Sequence, residues 1–301
     1  MMKWVIKNPA PMDSRLKKWG DYHFGRCLTK YLRRLGHEVE TDYHPEWESN
    51  RKGDVVLVLR GKYPFRQTHA EKNCFCVMWN ISHPASVTLE EYESYDMVLV
   101  ASELWAEKLD RKIKTPVYPL LQCTDVEEFF PRDLNGGETR KDFIFVGNTR
   151  AVKRECIIWA IQFGLQLKVW GRGWSKWISD DYVVSQYINN EELGKLYSYS
   201  RATLNEHWPD MKKYGFINNR IFDALACGLP VISDYHEELI KLFPKEILYY
   251  RNRREFETSI EKLLFSYPAV EEATRSAMKS VKEKFSFKQR AKVLSDLIEN
   301  R

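Results

Sequence analysis

Short runs of β-branched and aromatic residues alternate with segments of helical periodicity along nearly all of the 301 residues. This alternation is typical of parallel sheets covered by helices on both faces. In the first half, helical segments such as "HFGRCLTKYLRRLG" separate several of the apolar runs, which are "WVIKN", "HEVETDY", "DVVLVLRG", "CFCVMWN", "MVLVAS" and "PVYPLL". The first half therefore predicts one doubly wound α/β domain.

A charged segment, "QCTDVEEFFPRDLNGGETRKD", interrupts the rhythm and contains a proline and two adjacent glycines, Gly136 and Gly137. Such composition predicts a linker with an exposed loop. A second α/β cycle follows, with the strand candidates "FIFVGN", "LKVWG", "ATLNEH", "PVISD" and "ILYY". Its helices are predicted at residues 152–164, 191–200 and 218–227, and after "ILYY" the chain is nearly all helical.

We therefore expect two Rossmann-like domains, residues 1–125 and 126–286. The last helix, 287–301, is expected to cross back and pack on the first domain. Ligands of parallel sheets bind beyond the carboxyl ends of the strands. Two such domains joined by one linker predict a cleft with a site between them, so each loop at a strand end becomes a candidate.

The bulk properties narrow the class of ligand. A net charge of +5 and a pI near 8.7 favour anionic small molecules but lack the concentrated positive charge of a nucleic-acid binder. The six cysteines form no C-x-x-C pair, which disfavours zinc and disulfide frameworks and favours a reducing compartment. No apolar stretch approaches the ~20 residues of a membrane span. We expect a cytoplasmic protein, although "RLKKW" and "KYLRR" could contact an anionic membrane as well as form solvated helix faces.

The strand "FIFVGN" leads into a basic stretch, "TRAVKR". Arg150, Lys153 and Arg154 lie at the predicted first turn of the following helix, where cations oppose the helix dipole. An anion bound there would remove the conflict, and Gly147, next to Asn148, permits close backbone approach by a phosphate. The alternative is a solvated basic turn.

The stretch "GFINNRIFDALACGLPVISD" supplies complementary groups. On a helical wheel Asn219, Arg220 and Asp223 lie opposite the apolar face. Arg220 can neutralise a phosphate, Asp223 can accept hydrogen bonds from a ribose diol, and Asn218 adds a donor near the positive helix end. A nucleoside diphosphate requires all of these groups, although an ordinary solvated helix face fits the same pattern.

Several stretches resemble the CgeB-like glycosyltransferases, relatives of the group 1 glycosyltransferases with a GT-B fold. "NRIFDALACGLPVISD", flanked by "LYSYSRATLNEH" and "EELIKLF", resembles their C-terminal half. "FVGNTRAVKR", the "GRGW" of Gly171 and Arg172, and "FKQRAKVL" resemble further motifs in the same order. The likeness covers most of residues 141–301, whereas residues 1–140 match only loosely, through "WGDYHFGRCLTKYLRRLGHEV" and "LQCTDVEEFFP".

The resemblance implies a glycosyltransferase that moves a sugar from a nucleotide diphosphate sugar to a glycan or other hydroxyl-bearing acceptor. It places Asp223 at the donor ribose, with Arg220 and Arg154 near the diphosphate. The group 1 pattern has two glutamates, and here Gly215 stands at the first position and Asp223 at the second. Donor identity is therefore not carried over. A GT-B nucleotide-sugar epimerase and a non-catalytic nucleotide-sugar-binding protein are the alternatives.

Three residues of the first domain are candidates for the proton acceptor. Asp21 and His23 lie in a predicted loop before a helix, and either could act as general base on an acceptor hydroxyl. Asp21 could equally be the N-cap of that helix, with His23 on the surface. His83 follows the strand "CFCVMWN", where it could be catalytic or a turn residue beside Pro84.

The remaining candidates lie in the second domain. Tyr187 could stack on a base or belong to the core, and Asn190 is predicted to cap the next helix. Glu206 and His207 end a strand and could contact sugar or phosphate. No cluster has the spacing of a metal site, and arginine with helix dipoles can carry diphosphate charge, so we expect a reaction without metal or other cofactor.

Overall fold

The computed structural model describes residues 1–48, 51–65, 74–133 and 140–300. The predicted loop at Gly136 and Gly137 lies outside these residues. The chain divides into two compact units. Unit 1 comprises residues 1–123, 208–217 and 285–301, and unit 2 comprises residues 124–207 and 218–284.

The described residues form two parallel sheets covered by helices. The strands are β1 Lys3–Pro11, β2 Glu38–His44, β3 Val55–Arg60, β4 Phe75–Asn80, β5 Met97–Val100, β6 Val117–Pro119, β7 Phe143–Val146, β8 Leu167–Trp170, β9 Val183–Ser185, β10 Ala202–Asn205, β11 Val231–Asp234 and β12 Leu248–Tyr250. The helices are α1 Gly20–Arg34, α2 Leu89–Glu93, α3 Glu103–Asp110, α4 Glu155–Gln162, α5 Asn190–Tyr199, α6 Pro209–Lys213, α7 Asn219–Ala226, α8 Glu237–Leu242, α9 Arg253–Phe265, α10 Tyr267–Lys284 and α11 Phe287–Glu299.

Unit 1 contains a six-stranded sheet in the order β2-β1-β3-β4-β5-β6, and every described pairing is parallel. Strand β3 is buried along its whole length, as expected for a strand covered on both faces. The final helix, α11, packs against α1, and the Phe24 and Phe287 rings meet edge to face at 4.8 Å. The expectation that the last helix returns to the first sheet is confirmed.

Residues 208–217 belong to unit 1, whereas the sequence prediction placed them in the second domain. Met211 and Phe216 are buried in the core of unit 1, beside Val98 and Ala106. The Ser102 hydroxyl also donates a 2.7 Å hydrogen bond to the carbonyl oxygen of Tyr214. Apolar burial and this bond hold the segment on the first sheet, although both of its neighbours along the chain belong to unit 2.

Unit 2 contains a second parallel sheet in the order β12-β11-β10-β7-β8-β9. The strand order reverses between β10 and β7, since successive strands run outward from β7 on one side and from β10 on the other. Its core combines strand residues such as Ile144, Leu204 and Ile232 with helix residues such as Phe256. The prediction of two doubly wound parallel sheets is confirmed.

Most of the predicted elements are present, and the linker is the main correction. Thr124 and Asp125 are 1% exposed and Phe129 is 4% exposed, so the first part of this segment is packed rather than free. The helix predicted to begin at Val152 begins at Glu155, because Arg150 and Ala151 adopt left-handed backbone conformations that end helical periodicity. Strand β9 was not predicted.

Candidate functional site

The candidate site lies at the point in unit 2 where the strand order reverses. In open parallel sheets, two neighbouring strands whose connections leave in opposite directions open a crevice at their carboxyl ends, and ligands bind there. Here the two strands are β7 and β10, paired through Ala202–Phe143 and Thr203–Ile144. The loops that follow these strands therefore border this crevice.

Two glycines let the loops after β7 and β8 approach each other closely. Gly171 has φ +137°, and a Cβ atom there would lie 2.1 Å from the carbonyl oxygen of Gly147. The Asn148 side chain accepts a 2.8 Å hydrogen bond from the backbone N–H of Arg172, and the Trp174 indole donates to the Gly147 carbonyl at 3.0 Å. The predicted residues Gly147, Asn148, Gly171 and Arg172 therefore form one cluster.

Arg220 lies beside this cluster, on the first turn of α7. A Cβ atom on Gly147 would be 3.8 Å from the guanidinium carbon of Arg220. The Arg220 side chain is exposed, and within the described residues it makes no ion pair or hydrogen bond. No side chain caps the N-terminus of α7, although Asn218 occupies the N-cap position. An exposed guanidinium and an uncapped helix start are thus directed to the same place, which suits a phosphate group.

Asp223 lies one turn further along α7 and is 5% exposed. Its carboxylate accepts hydrogen bonds from Thr124 Oγ1 at 2.6 Å and from Asn219 Nδ2 at 3.1 Å. Burial raises the pKa of Asp223 to about 7, against the opposing effects of the Thr124 hydroxyl and the Arg220 charge. Sequence reasoning missed Thr124, because it lies in the segment taken for a linker and only the fold brings it to α7.

Arg154 takes a different place from the one predicted. Its side chain is 2% exposed, and its Nη1 lies 3.6 Å from Glu206 Oε1. The same nitrogen donates to the carbonyl oxygens of Glu206 and His207 at 3.3 and 3.2 Å. Glu206 Oε2 in turn accepts a 3.1 Å bond from the backbone N–H of Cys156. The anion at the start of α4 is therefore an internal carboxylate, which corrects the assignment of Arg154 to a bound phosphate.

Burial raises the pKa of Glu206, and the amide of Cys156 and the charge of Arg154 oppose that shift. His207 is 4% exposed, and its Nδ1 is 2.7 Å from Asp234 Oδ1. A buried amide chain runs alongside, from Asn218 Nδ2 to Asn205 Oδ1 at 2.9 Å and from Asn205 Nδ2 to Ser233 Oγ at the same distance. These groups tie the ends of β10 and β11 to the start of α7.

The other predicted side chains of unit 2 border the loops. Arg150 and Arg172 are exposed, and Lys153 pairs with Glu155 at 3.0 Å rather than lying free at a helix start. Tyr187 is half-buried, and burial raises its pKa. The prediction that Asn190 caps α5 is wrong by one position. Asn189 is the N-cap, and its side chain accepts from the backbone N–H of Glu192 at 2.8 Å.

In unit 1 the strand order reverses between β1 and β3, and the predicted acid–base residues lie near that point. A Cβ atom on Gly61, just after β3, would be 3.2 Å from Asp21 Oδ1 and 3.4 Å from Ser82 Oγ. The Ser82 hydroxyl is 2.9 Å from His83 Nδ1. The structure thus groups Asp21 with the Ser82–His83 pair around one glycine.

Asp21 is not the N-cap of α1. Trp19 occupies that position, and Asp21 lies inside the first turn, so its carboxylate does not cap the helix. His23 lies one turn along the chain from Trp19, with its Nε2 2.8 Å from the carbonyl oxygen of Lys17. His83 has a left-handed conformation with φ 54° and precedes Pro84, which agrees with a turn residue and leaves the catalytic alternative open.

Known proteins were compared with this chain by sequence and by structure. A family model described as "Glycosyl transferase-like" matches residues 151–296, just under half of the chain. No curated protein sequence matches this chain. Sucrose-phosphate synthase from Thermosynechococcus elongatus is 13% identical with a TM-score of 0.73, and the alignment covers 100% of this chain and 99% of that one.

Two further solved structures are similar over their whole length. Anabaena HepE in complex with UDP and glucose is 9% identical, with a TM-score of 0.68 and complete coverage of both chains. The catalytic domain of starch synthase IV from Arabidopsis thaliana, bound to ADP and acarbose, is 12% identical with a TM-score of 0.66 and 99% coverage of each chain. The fold is that of the GT-B glycosyltransferases. At these identities the likeness establishes the GT-B fold alone.

No helix among the described residues of this GT-B chain is both long and apolar enough to cross a membrane. All six cysteines lie in the described part of the chain and are free thiols. Five are buried, and Cys74 is half-buried.

Proposed function

We propose that the chain is a glycosyltransferase of the CgeB-like type, which moves a sugar from a nucleotide diphosphate sugar to a hydroxyl-bearing acceptor such as a glycan. The observation that carries the proposal is the cluster at the strand reversal of unit 2. There Arg220, exposed and without a carboxylate partner in the described chain, lies beside Gly147 at the uncapped start of α7. The family model over residues 151–296 supports the same class of reaction.

The donor diphosphate is proposed to lie against Arg220, the amides at the start of α7 and the close pair Gly147 and Gly171. Departure of the nucleoside diphosphate develops negative charge, and preorganised donors of this kind lower a barrier by a few kcal/mol each. The solved structures with UDP and glucose and with ADP have the same fold and hold such ligands, which supports this placement. Because arginine and helix amides supply the positive charge, we propose that the reaction needs no metal ion.

Asp223 is proposed to hold the ribose of the donor, and Asn219 would orient its carboxylate through their 3.1 Å bond. On the acceptor side, Asp21 or His83 is proposed to take the proton from the attacking hydroxyl. Asp21→Asn and His83→Gln should then leave nucleotide affinity unchanged. The variant that removes the general base should reduce transfer by about 100-fold or more.

The test is a binding screen with UDP, GDP, ADP and dTDP, followed by thermal unfolding. A ligand at about 100 times its Kd stabilises the folded state by roughly 2.7 kcal/mol. Arg220→Ala should reduce the affinity for the nucleotide by about 10- to 100-fold, since hydrogen bonds to charged groups contribute roughly 1.5–3 kcal/mol. Arg254→Ala is the matched control, because Arg254 is also an exposed arginine of unit 2 without an ion pair in the described chain.

Release of nucleoside diphosphate from the matching nucleotide sugar should persist in EDTA. A chain that binds none of the four nucleotides, or an Arg220→Ala variant that binds as well as wild type, would refute the assignment. A requirement for divalent metal would refute only the metal-independent part. Release of nucleoside diphosphate with donor alone, and no transfer to any acceptor, would favour the epimerase alternative. Nucleotide-sugar binding without any release would favour the binding-protein alternative.

A further inference from the structure

A second candidate binding site lies in unit 1, whereas the proposed donor residues lie in unit 2. It is a groove of about 320 Å³ between α3 and the segment 208–217. The residues that line it are Leu104, Trp105, Lys108, Lys112, Lys213 and Tyr214. We call it the lysine groove. It contains no carboxylate among its lining residues.

The floor of the lysine groove is aromatic. The rings of Trp105 and Tyr214 meet at 81°, with their centroids 4.6 Å apart, and so form a right-angled corner. The Trp105 indole N–H is directed inward and donates to the Tyr92 hydroxyl at 3.1 Å. The polar tip of the tryptophan is therefore already satisfied, and the part that borders the groove is apolar.

The rim of the lysine groove is positively charged. Lys112 Nζ lies 5.7 Å from the Trp105 ring centroid, and Lys213 Nζ lies 5.5 Å from the Tyr214 ring centroid. All three lysines are exposed, and in the described part of the chain none of them forms an ion pair. Three uncompensated ammonium groups around one recess attract an anion more strongly than scattered surface charges do.

The position of the groove is fixed by hydrogen bonds. Ser102 follows β5 and caps α3 by accepting from the backbone N–H of Trp105 at 3.0 Å. Its hydroxyl also donates to the Tyr214 carbonyl oxygen at 2.7 Å. The corner between Trp105 and Tyr214 is therefore held beside Ser102, just after β5, and the lysines lie further along the groove.

We propose that the lysine groove binds an acidic saccharide, with its anionic groups at the lysines and one sugar ring in the corner between Trp105 and Tyr214. The proposal that the ligand is anionic depends only on the lysines. The proposal that it is a saccharide rests on the proposed transferase function, in which this ligand would be the acceptor. The apolar C–H face of a sugar ring packs on aromatic side chains. A membrane surface fits less well, because Leu104, Trp105 and Tyr214 are only half-exposed and lie in a recess.

The test uses tetragalacturonic acid as the probe and maltotetraose as its neutral counterpart, each titrated into the full chain by calorimetry and tryptophan fluorescence. We expect the acidic probe to bind and the neutral probe to bind at least about tenfold more weakly. Raising the ionic strength from about 0.05 M to about 0.5 M should weaken binding of the acidic probe, since exposed charges are screened.

The decisive variant is the triple substitution Lys108→Gln, Lys112→Gln and Lys213→Gln. It should reduce the affinity for the acidic probe by roughly tenfold or more. The matched control, Lys195→Gln, Lys279→Gln and Lys282→Gln, removes the same charge from exposed lysines of unit 2 without ion pairs in the described chain, and it should bind as wild type does. All six lysines are exposed, so thermal unfolding should confirm that both variants fold.

Equal weakening by the two triple variants would overturn the proposal, because net charge and not the groove would then explain binding. Binding of phosphatidylglycerol vesicles that is lost in the groove variant, with no saccharide binding, would also overturn it in favour of a membrane surface. UDP affinity is measured in parallel and should be the same in both variants. If the chain binds the acidic probe in the groove but no nucleotide, the transferase proposal fails and the groove remains.

Discussion

We expect the substitution Asp223→Asn to change how the stability of the protein depends on pH. Burial raises the pKa of Asp223 to about 7 in the folded chain, from a reference value of 3.8. Between these values the unfolded state has lost a proton that the folded state keeps, so stability falls as the pH rises. One pKa unit corresponds to about 1.4 kcal/mol, and the fall between pH 5 and pH 7 should be on the order of 3 kcal/mol.

The measurement is the difference in free energy of unfolding between wild type and Asp223→Asn, taken from urea titrations at intervals from pH 5 to pH 8.5. Other titrating groups are common to both proteins and cancel. The free energy of unfolding of the variant should rise relative to that of wild type up to about pH 7, and the difference should then level off. Asp180→Asn, at an exposed aspartate of unit 2, should show no such trend. A difference that stays constant from pH 5 to pH 8 would show that Asp223 is ionised throughout, and the argument from burial would be wrong.

Two further predictions concern stability. Gly171→Ala should destabilise the protein by about 1–3 kcal/mol, because the new Cβ meets the Gly147 carbonyl and the backbone has φ +137°. Gly164→Ala, also at positive φ but in open space, should cost less in thermal unfolding, and equal losses would contradict the clash. Arg60→Met should cost about 3–5 kcal/mol in urea unfolding, because it leaves the Glu91 carboxylate without the buried guanidinium that bonds it at 3.1 Å. Adding Glu91→Gln should recover part of that loss, and no recovery would mean that packing and not charge explains it.

The central strands could be predicted because, like β3 and β11, they are buried on both faces and are nearly continuous apolar runs. Eleven of the twelve described strands coincide with predicted runs. The strand that was missed, β9, has three residues, two of them exposed. The equally short β6 was predicted because it lies within the longer apolar run "PVYPLL". The three C-terminal helices were predicted because each keeps its periodicity over more than three turns.

The candidate site was predictable only in part. The pattern on α7 correctly placed Arg220 and Asp223 on one helix. Gly147 was predicted to admit a phosphate, whereas its close approach to Gly171 was not predicted. The partner of Arg154 could not be found in the sequence, because Glu206 lies 52 residues away and meets it only through the pairing of β7 with β10. The basic turn was predicted to bind a phosphate because the carboxylate that pairs with Arg154, Glu206, is distant in sequence.

The same limit explains the segment 208–217. Its one helix, α6, has only five residues and so no clear periodicity, and its neighbours on both sides belong to unit 2. Only tertiary packing of Met211 and Phe216 shows where it lies. The lysine groove went unnoticed for that reason, because Lys213 and Tyr214 are about 100 residues from the aromatic and basic side chains of α3 that they join.

The discontinuous make-up of unit 1 has a practical consequence for anyone who cuts the gene. A fragment that stops at Cys123 would lack both α11 and the 208–217 strip, and would expose the apolar surfaces that Phe287 and Phe216 cover. Such a truncation should aggregate rather than fold, whereas a permuted gene with its new ends at the surface would retain every piece. Isolated halves are therefore poor reagents for assigning ligands, and single substitutions in the intact chain are the sound route.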